Sequence, residues 1–121
     1  MPMFVDPNER VPVTLGENTV YIRARMSVAV QARVQDELAV REGSPEAGLS
    51  GIGSYTLALL VHNIVGWEGP DFVDAAGKPV PCTRANIERL DPDTELLQMV
   101  RDEIGARNAR RTVPESEALP N

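Results

Sequence analysis

The sequence predicts an α+β, mainly helical domain: an N-terminal β-hairpin packed on three to four helices, with a disordered C-terminal tail. Three observations carry that expectation. Two short β-rich runs, 11–15 and 19–23, are joined by Gly16, Glu17 and Asn18. Two later stretches place apolar residues at helical spacing behind a serine able to cap them. A last periodic stretch opens on Asp91-Pro92, a strong helix-start signal.

The hairpin rests on turn chemistry, because Gly and Asn tolerate the positive φ that short β-connections require. Pro12 has no N–H to give a ladder, so its strand belongs at an edge. Two strands alone are marginal in water, so the hairpin has to pack on the helices that follow.

Ser27 caps a helix expected over 27–41, with Met26, Val30, Val34 and Leu38 recurring every four residues as one apolar stripe. The segment 42–53 holds four glycines and a proline and reads as a mobile loop. Ser54 then caps a helix expected over 54–65. Tyr55, Leu57, Ala58, Leu59, Leu60, Val61, Ile64 and Val65 cover nearly all its faces, so it is expected to be the central core helix. Gly66 reads as its terminator.

Beyond it, Ala76-Gly77-Lys78-Pro79 is the likeliest tight turn, flanked by short extended pieces near Phe72-Val73 and Val80. Thr83 caps a short helix to about Leu90. Asp91 as cap, Pro92 at the first helical position and nearby acids predict the last helix over 92–108, buried through Leu96, Leu97, Val100 and Ile104. Glu103 is placed to pair with Arg107, while Gly105 costs about 1 kcal/mol against alanine inside a helix. Arg107, Arg110 and Arg111 collect at its negative end. The expected organisation is one globular domain, 1–111, followed by an acidic, proline-bearing tail, 112–121.

Composition narrows the function. At 121 residues the chain is the size of one domain. Its 42% hydrophobic and 25% charged content is that of a globular protein. A net charge of −6 speaks against nucleic acid and against anionic membrane as partners, since both need a basic face. The lone Cys82 rules out an intramolecular disulfide framework. The longest apolar run, 57–61, is far short of the roughly 20 residues of a membrane span. The first residues lack a signal-peptide pattern, so an intracellular site is expected.

No chemical constellation emerges, so no catalytic, cofactor-binding or metal-binding residue is assigned. His62, the only histidine, has no nameable partner for acid–base work and reads as a core-edge residue. Cys82 reads as a small packed residue, although a thiol beside a helix start can have a lowered pKa. Asp91, Asp93 and Glu95 lack the ligand spacing of a calcium loop. Gly48, Gly51 and Gly53 lack the Lys and Ser/Thr of a phosphate loop. The candidate protein-binding residues are Trp67, which stands as core plug or interface anchor, and Tyr55 on the flank of the core helix.

The run Ala58-Leu-Leu-Val-His-Asn-Ile-Val-Gly-Trp67, then Asp74-Ala-Ala-Gly-Lys-Pro-Val-Pro81 and Thr83-Arg-Ala-Asn-Ile-Glu-Arg-Leu90, resembles the tail assembly chaperones of long-tailed phages. Members of that family commonly carry an apolar helix ending in tryptophan, a glycine–lysine–proline turn and a Thr-led helix closing on leucine. The resemblance is sharpest over 54–108 and carries no catalytic group. It implies a non-enzymatic protein of the host cytoplasm that binds the tape-measure protein and tail-tube subunits before the tube polymerises, with self-association left open. It also implies, for many members, a longer frameshifted form. The rival expectation is a small structural tail or connector protein of the virion.

Overall fold

The computed structural model describes residues 3–42 and 53–109. The expected tail, and most of the expected loop between the first two helices, lie outside the described residues.

The chain begins with β1 (Arg10–Leu15) and β2 (Asn18–Arg23). They pair antiparallel from Arg10↔Arg23 to Leu15↔Asn18. The connection is therefore two residues rather than three: Asn18 joins the ladder, and Gly16 takes the positive φ of 63° that opens the turn. Pro12 lies on the edge strand of the sheet, as its missing donor requires.

The helix α1 (Val28–Glu42) starts at Ser27, whose Oγ accepts from the Val30 amide at 3.3 Å. Its stripe buries Met26, Val30 and Val34. The second helix, α2 (Ser54–Asn63), starts one residue away from expectation. Gly53 is the cap, with no side-chain bond, and Ser54 is already helical.

The main departure comes at the end of α2. The residues 64–68 do not continue or terminate a helix; they form a third strand, β3 (Ile64–Glu68). The helix closes at Asn63, whose Nδ2 donates back to the Leu59 carbonyl at 2.8 Å, and Ile64 turns to extended backbone. The order is β1-β2-β3, all antiparallel. The physical reason is that a hairpin leaves the β2 edge open, and Ile64, Val65 and Trp67 are β-branched or aromatic residues suited to a pleated surface. Gly66 lies opposite Tyr21 in the ladder and is not a helix terminator. The pairing skips from Gly66 to Ile64, so Val65 is an extra, bulged residue.

After β3, Asp74 closes the expected turn by accepting from the Ala76 and Lys78 amides at 2.8 and 3.0 Å. Gly77 there has φ of 80°. Thr83 caps α3 (Arg84–Ile87), which stops short of Leu90. The last helix, α4 (Glu95–Arg107), also starts later than expected. Asp91 instead accepts from the Asp93 amide at 3.0 Å in a local turn, and Thr94 becomes the cap. Glu103 and Arg107 pair at 2.9 Å.

Among the described residues, helical positions outnumber strand positions about twofold. The inner sheet face contributes Val13, Val20, Ile22 and Ile64 to a core completed by Leu60, Ile87 and the buried side of α4. The outer face is polar. Arg10 lies over the Tyr21 ring at 4.4 Å, and the Tyr21 hydroxyl donates to Glu68 at 2.6 Å. No helix among the described residues is long and apolar enough to cross a membrane.

Candidate protein-binding site

Trp67 is placed by β3, opposite Val20 on the inner face of the sheet. It is half-buried against the core, and its ring stacks on Phe72 at 5.1 Å with an 8° interplanar angle. Its indole Nε1 donates to the Val80 carbonyl at 2.7 Å. The Asp74 turn returns the chain so that Val80 and Phe72 meet, with the Val80 amide donating to the Phe72 carbonyl at 2.9 Å. The indole thus has its one donor satisfied and one face covered, which is how a packed tryptophan is held. A shallow groove of about 150 Å³ remains beside it, bordered by Asp71, Asp74, Arg89 and Leu90.

Tyr55 sits in the first turn of α2 and is 48% exposed. It lines a groove of about 220 Å³ where α1, α2 and α4 meet, with Met26, Val34, Leu59, Ile104 and Asn108. The walls combine apolar side chains at the rim of the core with the uncharged polar groups of Gln31, Gln35 and Asn108, in about equal measure. A concave surface of mixed apolar and polar character suits recognition of a partner side chain. Trp67 and Tyr55 are therefore not brought together. Tyr55 lies at the N-terminal end of α2 and Trp67 beyond its C-terminal end, in separate grooves.

The remaining sequence candidates take structural places. Cys82 packs half-buried against the core, and burial pushes its thiol up from the ordinary range, away from a reactive thiolate. His62, at the end of α2, lies with Nε2 3.4 Å from a Glu37 oxygen, close enough for attraction but outside hydrogen-bond geometry. Among the described residues, no group of three His, Cys, Asp or Glu side chains is placed to hold a metal ion.

Sequence reasoning missed two features. Glu37, on the polar side of the α1 stripe, turns inward to the Arg84 guanidinium; an acid beside an apolar stripe gives no such signal. Met3 and Phe4, each 94% exposed ahead of β1, form a small apolar feature that no periodicity marks.

Comparison of the chain with family models, with curated proteins and with solved structures finds no match.

Proposed function

We propose that this chain is a tail assembly chaperone of a long-tailed phage. It acts in the host cytoplasm by binding, not by catalysis, and its partners are the tape-measure protein and the tail-tube subunits. The resemblance of 54–108 to that family suggests the class. The observation that carries a binding role is the open groove beside Tyr55, where core-rim side chains such as Leu59 and Ile104 are mixed with the polar Gln31, Gln35 and Asn108, a surface able to meet both apolar and hydrogen-bonding groups of a partner. Tyr55 is the better anchor of the two candidates, since Trp67 already spends its donor and one ring face within the chain.

Co-expression with the tape-measure protein of the same genome, followed by capture of the intact chain, tests the reading. The expected result is a stable complex, with the chain absent from purified virions. A chain found as a stoichiometric component of finished particles is instead a structural tail or connector protein. Failure to capture either the tape-measure or the tube subunit refutes the chaperone assignment.

A further inference from the structure

The apolar interior is in two pieces. The larger joins the sheet, α2, α3 and α4; the smaller comprises Met26, Val30, Val34 and Ala58, between α1 and α2. Leu59 borders both. Among the described residues α1 packs extensively along α2 alone, whereas α4 packs on β1, β2 and α2. The apolar hold on α1 is thus one stripe against one helix, the kind of region that opens below the global unfolding free energy.

The fastenings of α1 differ along its length. At its start, the Met26 amide donates to Asn108 Oδ1 at 2.7 Å, and the Arg25 guanidinium donates to the Arg107 and Ala109 carbonyls. These bonds anchor that end to the close of α4. Farther along, Glu37 reaches the Arg84 guanidinium of α3 and lies against His62 of α2. The Glu37 side chain is only 11% exposed while that of Arg84 is 51% exposed, so the carboxylate is largely withdrawn from water and meets a guanidinium that water still reaches, in a charge-assisted hydrogen bond. The receiving side is braced: Arg84 also pairs with Glu88 at 3.4 Å, and Arg23 of β2 donates to the His62 carbonyl at 2.7 Å.

We propose that α1 is a hinged flap latched at Glu37. It leaves α2 as one unit, pivoting on the Arg25–Met26 anchor, while the sheet and α4 stay folded. Opening uncovers the Met26–Val30–Val34 stripe together with Ala58 and Leu59, and so extends the groove beside Tyr55 along the α1–α2 seam. The flap is a property of the chain itself and stands or falls independently of which partner the groove receives.

Hydrogen exchange of the full chain, followed by mass spectrometry under conditions where closing outpaces exchange, tests it. In the wild type, α1 amides are expected to exchange at least about tenfold faster than hydrogen-bonded amides of β2 and α4. Glu37→Gln keeps the size and removes the charge. It should speed α1 exchange by a further factor on the order of ten, the scale of one charge-assisted hydrogen bond, and leave β2 and α4 unchanged. Arg84→Gln, made at the half-exposed end of the latch, should act on α1 in the same direction and carries the latch test if Glu37→Gln does not fold. Exchange of α1, β2 and α4 at one common rate in the wild type overturns the flap. Variants that leave α1 unchanged, or speed all three elements equally, overturn the latch.

Discussion

The two ends of α2 lead to the two aromatic residues best placed to bind a partner, and they are held in opposite ways. Beyond the C-terminal end, Trp67 is built into β3, stacked on Phe72 and bonded to Val80. At the N-terminal end, Tyr55 stands half in solvent over a groove whose walls mix apolar and uncharged polar side chains. The same residue class therefore does different work at the two ends. A satisfied donor and a covered ring contribute to folding, whereas an open ring above a groove remains free to contact another molecule.

The most forceful way to break this contrast is at Trp67. Trp67→Ala removes a large ring from the core margin and leaves the Val80 carbonyl without its donor. The expected loss is about 3 kcal/mol, the low end for an aromatic cut to alanine, because the ring is only half-buried. Trp67→Phe keeps a stacking ring and loses the hydrogen bond, so a loss of about 1 kcal/mol is expected. Chemical denaturation of both variants checks this. A Trp67→Ala protein as stable as wild type that nonetheless loses its partner would make Trp67 the anchor and reverse the comparison.

That contrast was only half legible in the sequence. Apolar patterning placed α1, α2 and α4, because the Val30–Val34 repeat, the apolar run 57–61 and Leu96, Leu97, Val100 and Ile104 act locally, whereas of the expected caps for these three helices only Ser27 holds. The third strand was not read, although Ile64-Val65-Gly66-Trp67-Glu68 has β-branched and aromatic content, because Gly66 after an apolar helix imitates a terminator. What turns those residues into a strand is the open edge of β2, more than forty positions earlier in the chain. Tyr55 was legible as a flank residue, but its groove was not: Met26, Leu59 and Ile104 come from three distant segments. Boundaries slipped where two caps compete, as at Asp91 and Thr94.

The groove wall offers a smaller test of opposite sign. Gly105 lies inside α4, and a Cβ added there meets no atom within 4 Å. Gly105→Ala should stabilise the fold by about 0.5–1 kcal/mol by restricting the unfolded chain. A thermal melt that rises for Gly105→Ala and falls for Trp67→Ala would mark the Tyr55 end as the place where the surface is not optimised for stability. A fall in both would mean that the groove is closed in solution.

At Tyr55 itself the expected stability change is smaller still. Tyr55→Ala should shift unfolding by less than about 0.5 kcal/mol, the usual range for a surface substitution. Capture of the tape-measure protein should nevertheless weaken, while Tyr21→Ala leaves it unchanged. Equal loss of capture in both variants would remove the groove from the proposed function.

The least perturbing prediction uses Tyr21, the tyrosine that is tied down where Tyr55 is open. Its neutral hydroxyl donates to Glu68, so losing the proton breaks that bond and sets two negative charges side by side. The hydroxyl is held above its ordinary value of 10.0, chiefly by this bond, and Arg10 over the ring opposes the shift more weakly. A pKa raised in the folded state gives a contribution that is fully present below about pH 10 and lost as pH rises through the folded value. Near neutral pH the contribution is present but small, because the bond lies at the surface, so Tyr21→Phe should melt slightly below the wild type, and the difference should vanish as pH rises through the folded value. Ultraviolet titration of the phenolates reads the shift directly: the wild-type curve less that of Tyr21→Phe should give a Tyr21 midpoint above 10.0. Glu68→Gln should bring that midpoint down, because the carboxylate that penalises the phenolate is gone. A wild-type Tyr21 midpoint at or below 10.0 would mean that the bond to Glu68 does not persist in solution, and that Tyr21 is not tied down.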